Sequence, residues 1–107
     1  MKKKSIKEFR LLLKKEKVLF VDFYADWCEP CKLLNEILKE VQAQLGKKIH
    51  IIKIDVDASK ELSDSYNIMS VPVLILFKNE EPIWRMNGFL TAEELIKIIE
   101  KILMIAK

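Results

Sequence analysis

The segment Val18-Leu19-Phe20-Val21-Asp22-Phe23-Tyr24 is aliphatic or aromatic at every position but one, and Ala25-Asp26-Trp27-Cys28-Glu29-Pro30-Cys31-Lys32 follows it directly. An apolar, β-branched run of this kind reads as a central strand covered on both faces. Beyond Cys31 the period changes. Leu34, Ile37, Leu38, Val41 and Leu45 recur at helical spacing, and Gly46 is placed to cap the helix end. The two cysteines, the only ones in the chain, therefore sit where a buried strand hands over to a helix. Asp22 is the one acid inside the strand, and its apolar neighbours favour burial over exposure at an edge.

Positions i and i+3 share a helix face, so the sulfurs of Cys28 and Cys31 can close a small disulfide or open it with little backbone motion. Cys28 stands at the helix N-terminus, where unpaired N–H groups and the dipole favour an anion, which makes it the better nucleophile. Cys31, one turn into the helix, is expected to be more covered and to resolve the mixed disulfide that Cys28 forms with a substrate. Zinc is not expected. A structural site normally takes four ligands, and two cysteines with the lone His50 supply three. His50 opens a strand and reads as a surface or packing residue. A permanent structural disulfide is disfavoured as well, because so short a loop barely constrains the unfolded chain.

Working outward, Ser5 and Glu8 match the Ser-x-x-Glu capping box, and apolar positions then run at helical spacing to Leu13, with Lys17 at the end. Ile49 to Val56 reads as a second apolar strand and Ser59 to Tyr66 as a short helix. Val73 to Phe77 and Ile83 to Met86 form two strands joined tightly through Asn79-Glu80-Glu81-Pro82, a hairpin. Thr91 and Glu94 repeat the capping-box spacing before a last helix from Ala92 to Ile105. The order αβαβαββα implies an α/β fold: a mixed central sheet flanked by helices on both faces.

With 107 residues, half of them hydrophobic and a third charged, and only two Gly and three Pro, the chain (residues 1–107) is expected to form one domain with one core. The net charge of +3 is unevenly placed, since the first 17 residues carry eight Lys or Arg against two Glu. Lys7, Arg10, Lys14 and Lys17 fall opposite Ile6, Phe9 and Leu13. A basic helix can serve a membrane surface or nucleic acid; here it is read as a solvated outer face, because no aromatic or glycine-rich element accompanies it. Neither nucleic acid nor membrane is an expected partner. No apolar run nears the ~20 residues that span a bilayer, and the start lacks a signal peptide's apolar core, so a cytoplasmic protein is expected.

Several of these motifs, taken together, resemble one family. Val21-Asp22-Phe23-Tyr24-Ala25-Asp26-Trp27-Cys28-Glu29-Pro30-Cys31-Lys32, Lys53-Ile54-Asp55-Val56-Asp57, Ser70-Val71-Pro72, Phe77-Lys78-Asn79 and Gly88 stand in the order and at the spacing of the thioredoxins, and the resemblance covers nearly the whole chain. It implies a thioredoxin fold and a dithiol–disulfide oxidoreductase that reduces protein disulfides through the redox-active pair Cys28–Cys31. No bound cofactor is implied; a thioredoxin reductase drawing on NADPH would restore the dithiol. A monomer is expected.

The resemblance also assigns roles. Asp22 corresponds to the family's buried acid, which accepts the Cys31 proton through water, and Lys53 to the lysine that moderates its charge. Trp27 would shield the disulfide and contact substrate. Pro72 corresponds to a cis-proline facing the cysteines, and Val71, Pro72, Gly88 and Phe89 would complete a shallow apolar surface for disulfides of many proteins. Two readings compete: a more oxidising oxidase or isomerase of the same fold, and a non-catalytic binding module.

Some residues depart from the family pattern. Glu29 stands where Gly is commonest, between Cys28 and Pro30. A charge about 7 Å from the thiolate, at effective dielectrics of 20 to 80, repels it by about 0.6–2.4 kcal/mol. Destabilising the thiolate favours the disulfide, so a more reducing potential is expected, by at most a few tens of millivolts. The family's first strand is short or missing, because only Met1 to Lys4 precede the capping box. Val73 replaces a common Thr after the proline. The hairpin turn reads Asn79-Glu80 rather than Asn-Gly, which makes a left-handed turn costlier and leaves room for another type.

Overall fold

A computed structural model describes residues 3–105. Helix α1 (Ile6–Lys15) begins at a complete capping box: Ser5 Oγ accepts the Glu8 N–H at 3.1 Å while Glu8 Oε1 accepts the Ser5 N–H at 3.0 Å. The Ser5 N–H bonded to the exposed Glu8 carboxylate holds its pKa below the ordinary value. Strand β1 (Val18–Tyr24) leads to helix α2 (Glu29–Leu45), which ends at Gly46 with φ 55° and a short 3-10 turn, Gly46–Lys48. Strand β2 (His50–Asp55), helix α3 (Lys60–Ser65), the hairpin strands β3 (Val73–Lys78) and β4 (Glu81–Asn87), and helix α4 (Ala92–Ile105) complete the order. The capping box predicted at Thr91 and Glu94 is present in both directions, at 3.1 and 3.0 Å.

The sheet order is β2-β1-β3-β4, with β1 parallel to β2 and antiparallel to β3. Among the described residues no strand precedes α1; Met1 and Lys2, half of the stretch available for one, lie outside them. Strand side chains alternate between two layers. Leu19, Val21, Phe23, Val73, Ile75 and Phe77 pack against Phe9 and Leu13 of α1 and Leu62 of α3. On the other face Phe20, Leu74 and Leu76 pack against Leu34, Leu38, Val41 and Leu45 of α2 and Leu95 and Ile99 of α4. Both faces of β1 are thus covered, which is why its sequence is apolar throughout except at Asp22.

The hairpin differs from the expectation that the missing glycine leaves open. Asn79 (φ 50°) and Glu80 (φ 72°) both take left-handed backbone, the conformation that matches the twist of two paired strands. The pairing of β3 with β4 shifts register between Leu76 and Phe77, leaving Ile83 without a directly opposed partner next to Pro82. A proline has no N–H for the ladder, and a bulge on an edge strand accommodates it.

Candidate active site

The end of β1 and the first turn of α2 build the centre of the site. Cys28 is the N-cap of α2 and its Sγ accepts the Cys31 N–H at 3.2 Å, so the sulfur occupies one of the helix's otherwise unpaired donors. Pro30 lies in the first turn, where its lack of an N–H costs nothing. Cys28 and Cys31 are joined as a disulfide, with Cα atoms 5.3 Å apart.

Both cysteines are buried in this oxidised state, Cys28 at 4% and Cys31 at 3% exposure, so Cys31 is the more covered by only a small margin. Cys28 turns inward to the helix terminus, and Tyr24, Val56 and Val71 pack against the cluster that it forms with Ala25 and Cys31. Trp27 is 70% exposed. Its indole N–H donates to Asp57 Oδ2 at 2.9 Å. Asp57 is positioned in turn by Asp55, whose Oδ1 accepts the backbone N–H groups of Asp57 and Ala58 at 2.9 and 3.2 Å. Neither aspartate stands out in the sequence as a site residue. The signal is the Asp-Val-Asp-Ala-Ser run after a strand, which suits a side-chain-closed turn.

Asp22 is fully buried, and neither of its carboxyl oxygens has a hydrogen-bond partner. Burial pushes its pKa up to about 7, against the pull of the Lys53 ammonium. Lys53 is the register partner of Asp22 across β1 and β2, and its Nζ lies 4.3 Å from the centroid of the Tyr24 ring. The lysine that the sequence pairs with the buried acid is therefore beside it.

The Val71–Pro72 peptide bond is cis. The Gly88 N–H donates to the Pro72 carbonyl at 2.8 Å, and Gly88 has φ 100°, a conformation that L side chains rarely adopt. Arg85 donates to the carbonyls of Tyr66 and Asn67, tying β4 to the loop that leads to Pro72. Val71 joins the cysteine cluster, whereas Phe89 is half-exposed at the end of β4 and Met69, missed in the sequence, is 90% exposed. Glu29 is exposed and paired with Lys32 at 3.1 Å, a partner that the sequence estimate of its field did not include. His50 lies beside Glu16, Nδ1 to Oε1 at 3.4 Å, and not with the cysteines.

Residues 1–101 match the family model for thioredoxin. The chain belongs to the thioredoxin family. It is 44% identical over 107 residues to the chloroplastic thioredoxin Y of Oryza sativa subsp. japonica, a match covering 99% of this chain and 64% of that protein, just under two thirds of its length. A thioredoxin-like protein of Synechocystis sp. is 38% identical over 92% of this chain and 94% of its own length. The solved structure of chloroplastic thioredoxin z superposes with a TM-score of 0.85 at 30% identity, covering 97% of this chain and 95% of that one. The Cys28–Cys31 disulfide at the N-terminus of α2 lies within the stretch that matches the thioredoxin family model.

Proposed function

We propose that this chain is a protein-disulfide reductase in which Cys28 attacks and Cys31 resolves. The observation that carries the reading is a disulfide at a helix N-terminus on the same sheet layer as a buried, unpartnered carboxyl. In the dithiol form the Cys28 thiolate attacks one sulfur of a substrate disulfide. A Cys28–substrate bond forms, the substrate's S–S bond breaks, and one substrate thiolate leaves. Cys31 then gives its proton to the Asp22 carboxylate and attacks Cys28 Sγ. The Cys28–Cys31 bond forms, and the second substrate thiolate departs and is protonated from water.

Lys53 keeps Asp22 ionisable near neutral pH, so that it can accept that proton. Trp27, Val71, Pro72, Gly88 and Phe89 make the surface on which the substrate segment lies, and Pro30 and Glu29 tune the couple at the helix start. A thioredoxin reductase spending NADPH returns the disulfide to the dithiol, and the chain acts as a monomer in the cytoplasm. A reducing compartment suits the exchange, since Cys28–Cys31 must open in each cycle.

Insulin reduction with dithiothreitol, and then with NADPH and a bacterial thioredoxin reductase, tests the reading. The chain should precipitate insulin B chain under both regimes, and Cys28→Ser should reduce activity to the uncatalysed level. Cys31→Ser should accumulate mixed disulfides with its substrates. Wild-type activity no greater than that of Cys28→Ser would mark a binding module, and a potential near that of protein disulfide isomerase, about −180 mV, would mark an isomerase.

A further inference from the structure

Two half-buried polar side chains lie along the buried stripe of α2: Gln42, which is bonded to the Gly46 and Ile49 carbonyls and the Ile51 N–H, and Asn35. Cys31, Leu34, Leu38, Val41 and Leu45 are the helix's buried residues, and Asn35, four residues after Cys31 and three before Leu38, shares their stripe. The Oδ1 atom of Asn35 is buried without a hydrogen-bond partner, which is costly unless something else reaches it. The other carboxyl or amide oxygens in that condition, among the described residues, are those of Asp22.

The packing brings these two side chains to one level of the fold. On the α2 face of β1, alternation sets Asp22 between Phe20 and Tyr24. Phe20 packs in the cluster of Leu34 and Leu38, while Tyr24 packs against the cluster of Cys28 and Cys31. Asp22 is therefore bracketed between the levels of Leu38 and Cys31, and Asn35 is the residue of α2 that lies between them on that stripe. Lys53, in register with Asp22 on β2, lines an open groove of about 450 Å³ between α2 and β2 together with Asn35.

We propose that Asn35 is a positioning residue for the proton step, its amide meeting the Asp22 carboxyl through one water at the inner end of the groove. An amide offers an acceptor and a donor on one planar group. With Asp22 protonated, the bridging water accepts its O–H and donates to Oδ1; with Asp22 ionised, the amide turns by half and its N–H₂ donates to the water, which donates to the carboxylate. The proton that Asp22 takes from Cys31 then leaves through the groove to water. The residues in register with Asp22 are Lys53 on β2 and apolar Leu74 on β3; Cys31 is one turn before Asn35 on α2, and Lys32, Glu36 and Lys39 line the groove.

This inference rests on Asp22 being the acceptor of the Cys31 proton, and the experiment separates the two. Reduced protein is mixed with 5,5′-dithiobis(2-nitrobenzoate) in a stopped-flow instrument; the first thionitrobenzoate released reports attack by Cys28 and the second reports attack by Cys31. Asn35→Leu should slow the second phase about fivefold at pH 7, the worth of one hydrogen bond, and move its pH midpoint upward, because the charge-assisted bond lost by the carboxylate is stronger than the neutral one lost by the acid, while the first phase is unchanged. In an Asp22→Asn background the same substitution should add nothing. Asn35→Ala, which adds no bulk, should give the same pattern if the leucine does not fold. An unmoved midpoint, or an equal effect in the Asp22→Asn background, overturns the role of Asn35 alone. A second phase unaffected by Asp22→Asn overturns both.

Discussion

Asp22 and Lys53 are register partners on adjacent parallel strands, yet the Asp22 carboxyl has no hydrogen-bond donor and is fully buried. Burial therefore outweighs the lysine, and the carboxyl titrates at about 7 instead of 3.8. Between those values the folded state holds a proton that the unfolded chain has released, so stability falls as pH rises from about 4 to 7 and is level above. The penalty above pH 7 is on the order of 4 kcal/mol. Asp22→Asn should be more stable than the wild type at pH 8 by up to that amount, and nearly equal to it at pH 4. Guanidinium unfolding of the oxidised proteins at the two pH values checks this, and a wild type that gains on the variant as pH rises would refute it.

Removing the opposing charge should act in the other direction on chemistry. The Lys53 ammonium lowers the Asp22 pKa, so Lys53→Met leaves the carboxyl protonated to higher pH. Insulin reduction should then require more alkaline conditions, with the acidic limb of its pH profile moved upward. An unmoved limb would mean that another group supplies the titration.

Trp27 and Asp57, 30 residues apart, are joined by a 2.9 Å bond that orients the most exposed aromatic surface near the disulfide. Asp57→Ala should free the indole without touching the sulfurs. An exposed bond to a carboxylate is worth about 1 kcal/mol, so KM for insulin should rise about fivefold while the reaction with a small disulfide changes little. If both reactions slow together, Asp57 acts on the cysteines instead of on substrate contact.

The strand–helix junction at Cys28, the capping boxes at Ser5 and Thr91 and the period-2 layers of β1 were legible because each depends on residues within one or two turns of chain. Asp22 was legible as an anomaly in an apolar strand, and its pairing with Lys53 followed only from resemblance, since register between strands is not written locally. The cis Val71–Pro72 bond came from the same source. The tether of Trp27 to Asp57 and the near-complete burial of Cys28 were not legible: both depend on where Val56, Val71 and the turn after β2 come to rest. Asn35 was passed over because a single polar residue in a helical stripe does not disturb its apolar pattern.

Glu29 illustrates a neighbour changing a magnitude. Its carboxylate is 81% exposed and held by Lys32 at 3.1 Å, so part of its field at Cys28 is cancelled and the rest is screened. Glu29→Gly should still raise the potential, because the thiolate is relieved of repulsion, but by about 10 mV, the weak end of the range. Equilibration with glutathione buffers measures it, and the shift should shrink in 1 M salt. A variant more reducing than the wild type would reverse the electrostatic sign.

The β3–β4 turn offers a test independent of the redox chemistry. Asn79 tolerates left-handed backbone because its short polar side chain can bond locally, but Glu80, at φ 72°, has no such compensation. A left-handed residue with a Cβ costs about 1–2 kcal/mol, and glycine relieves that while giving the unfolded chain more freedom, worth about 0.5–1 kcal/mol. The balance favours glycine by up to about 1.5 kcal/mol, which for a domain of this size is a rise in Tm of up to about 6–12 °C. Glu80→Gly should therefore melt higher with the insulin-reduction rate unchanged, whereas Asn79→Val, which puts a β-branched side chain at φ 50°, should melt lower. A lower Tm for Glu80→Gly would mean that Glu80 holds the turn by a contact worth more than its strain.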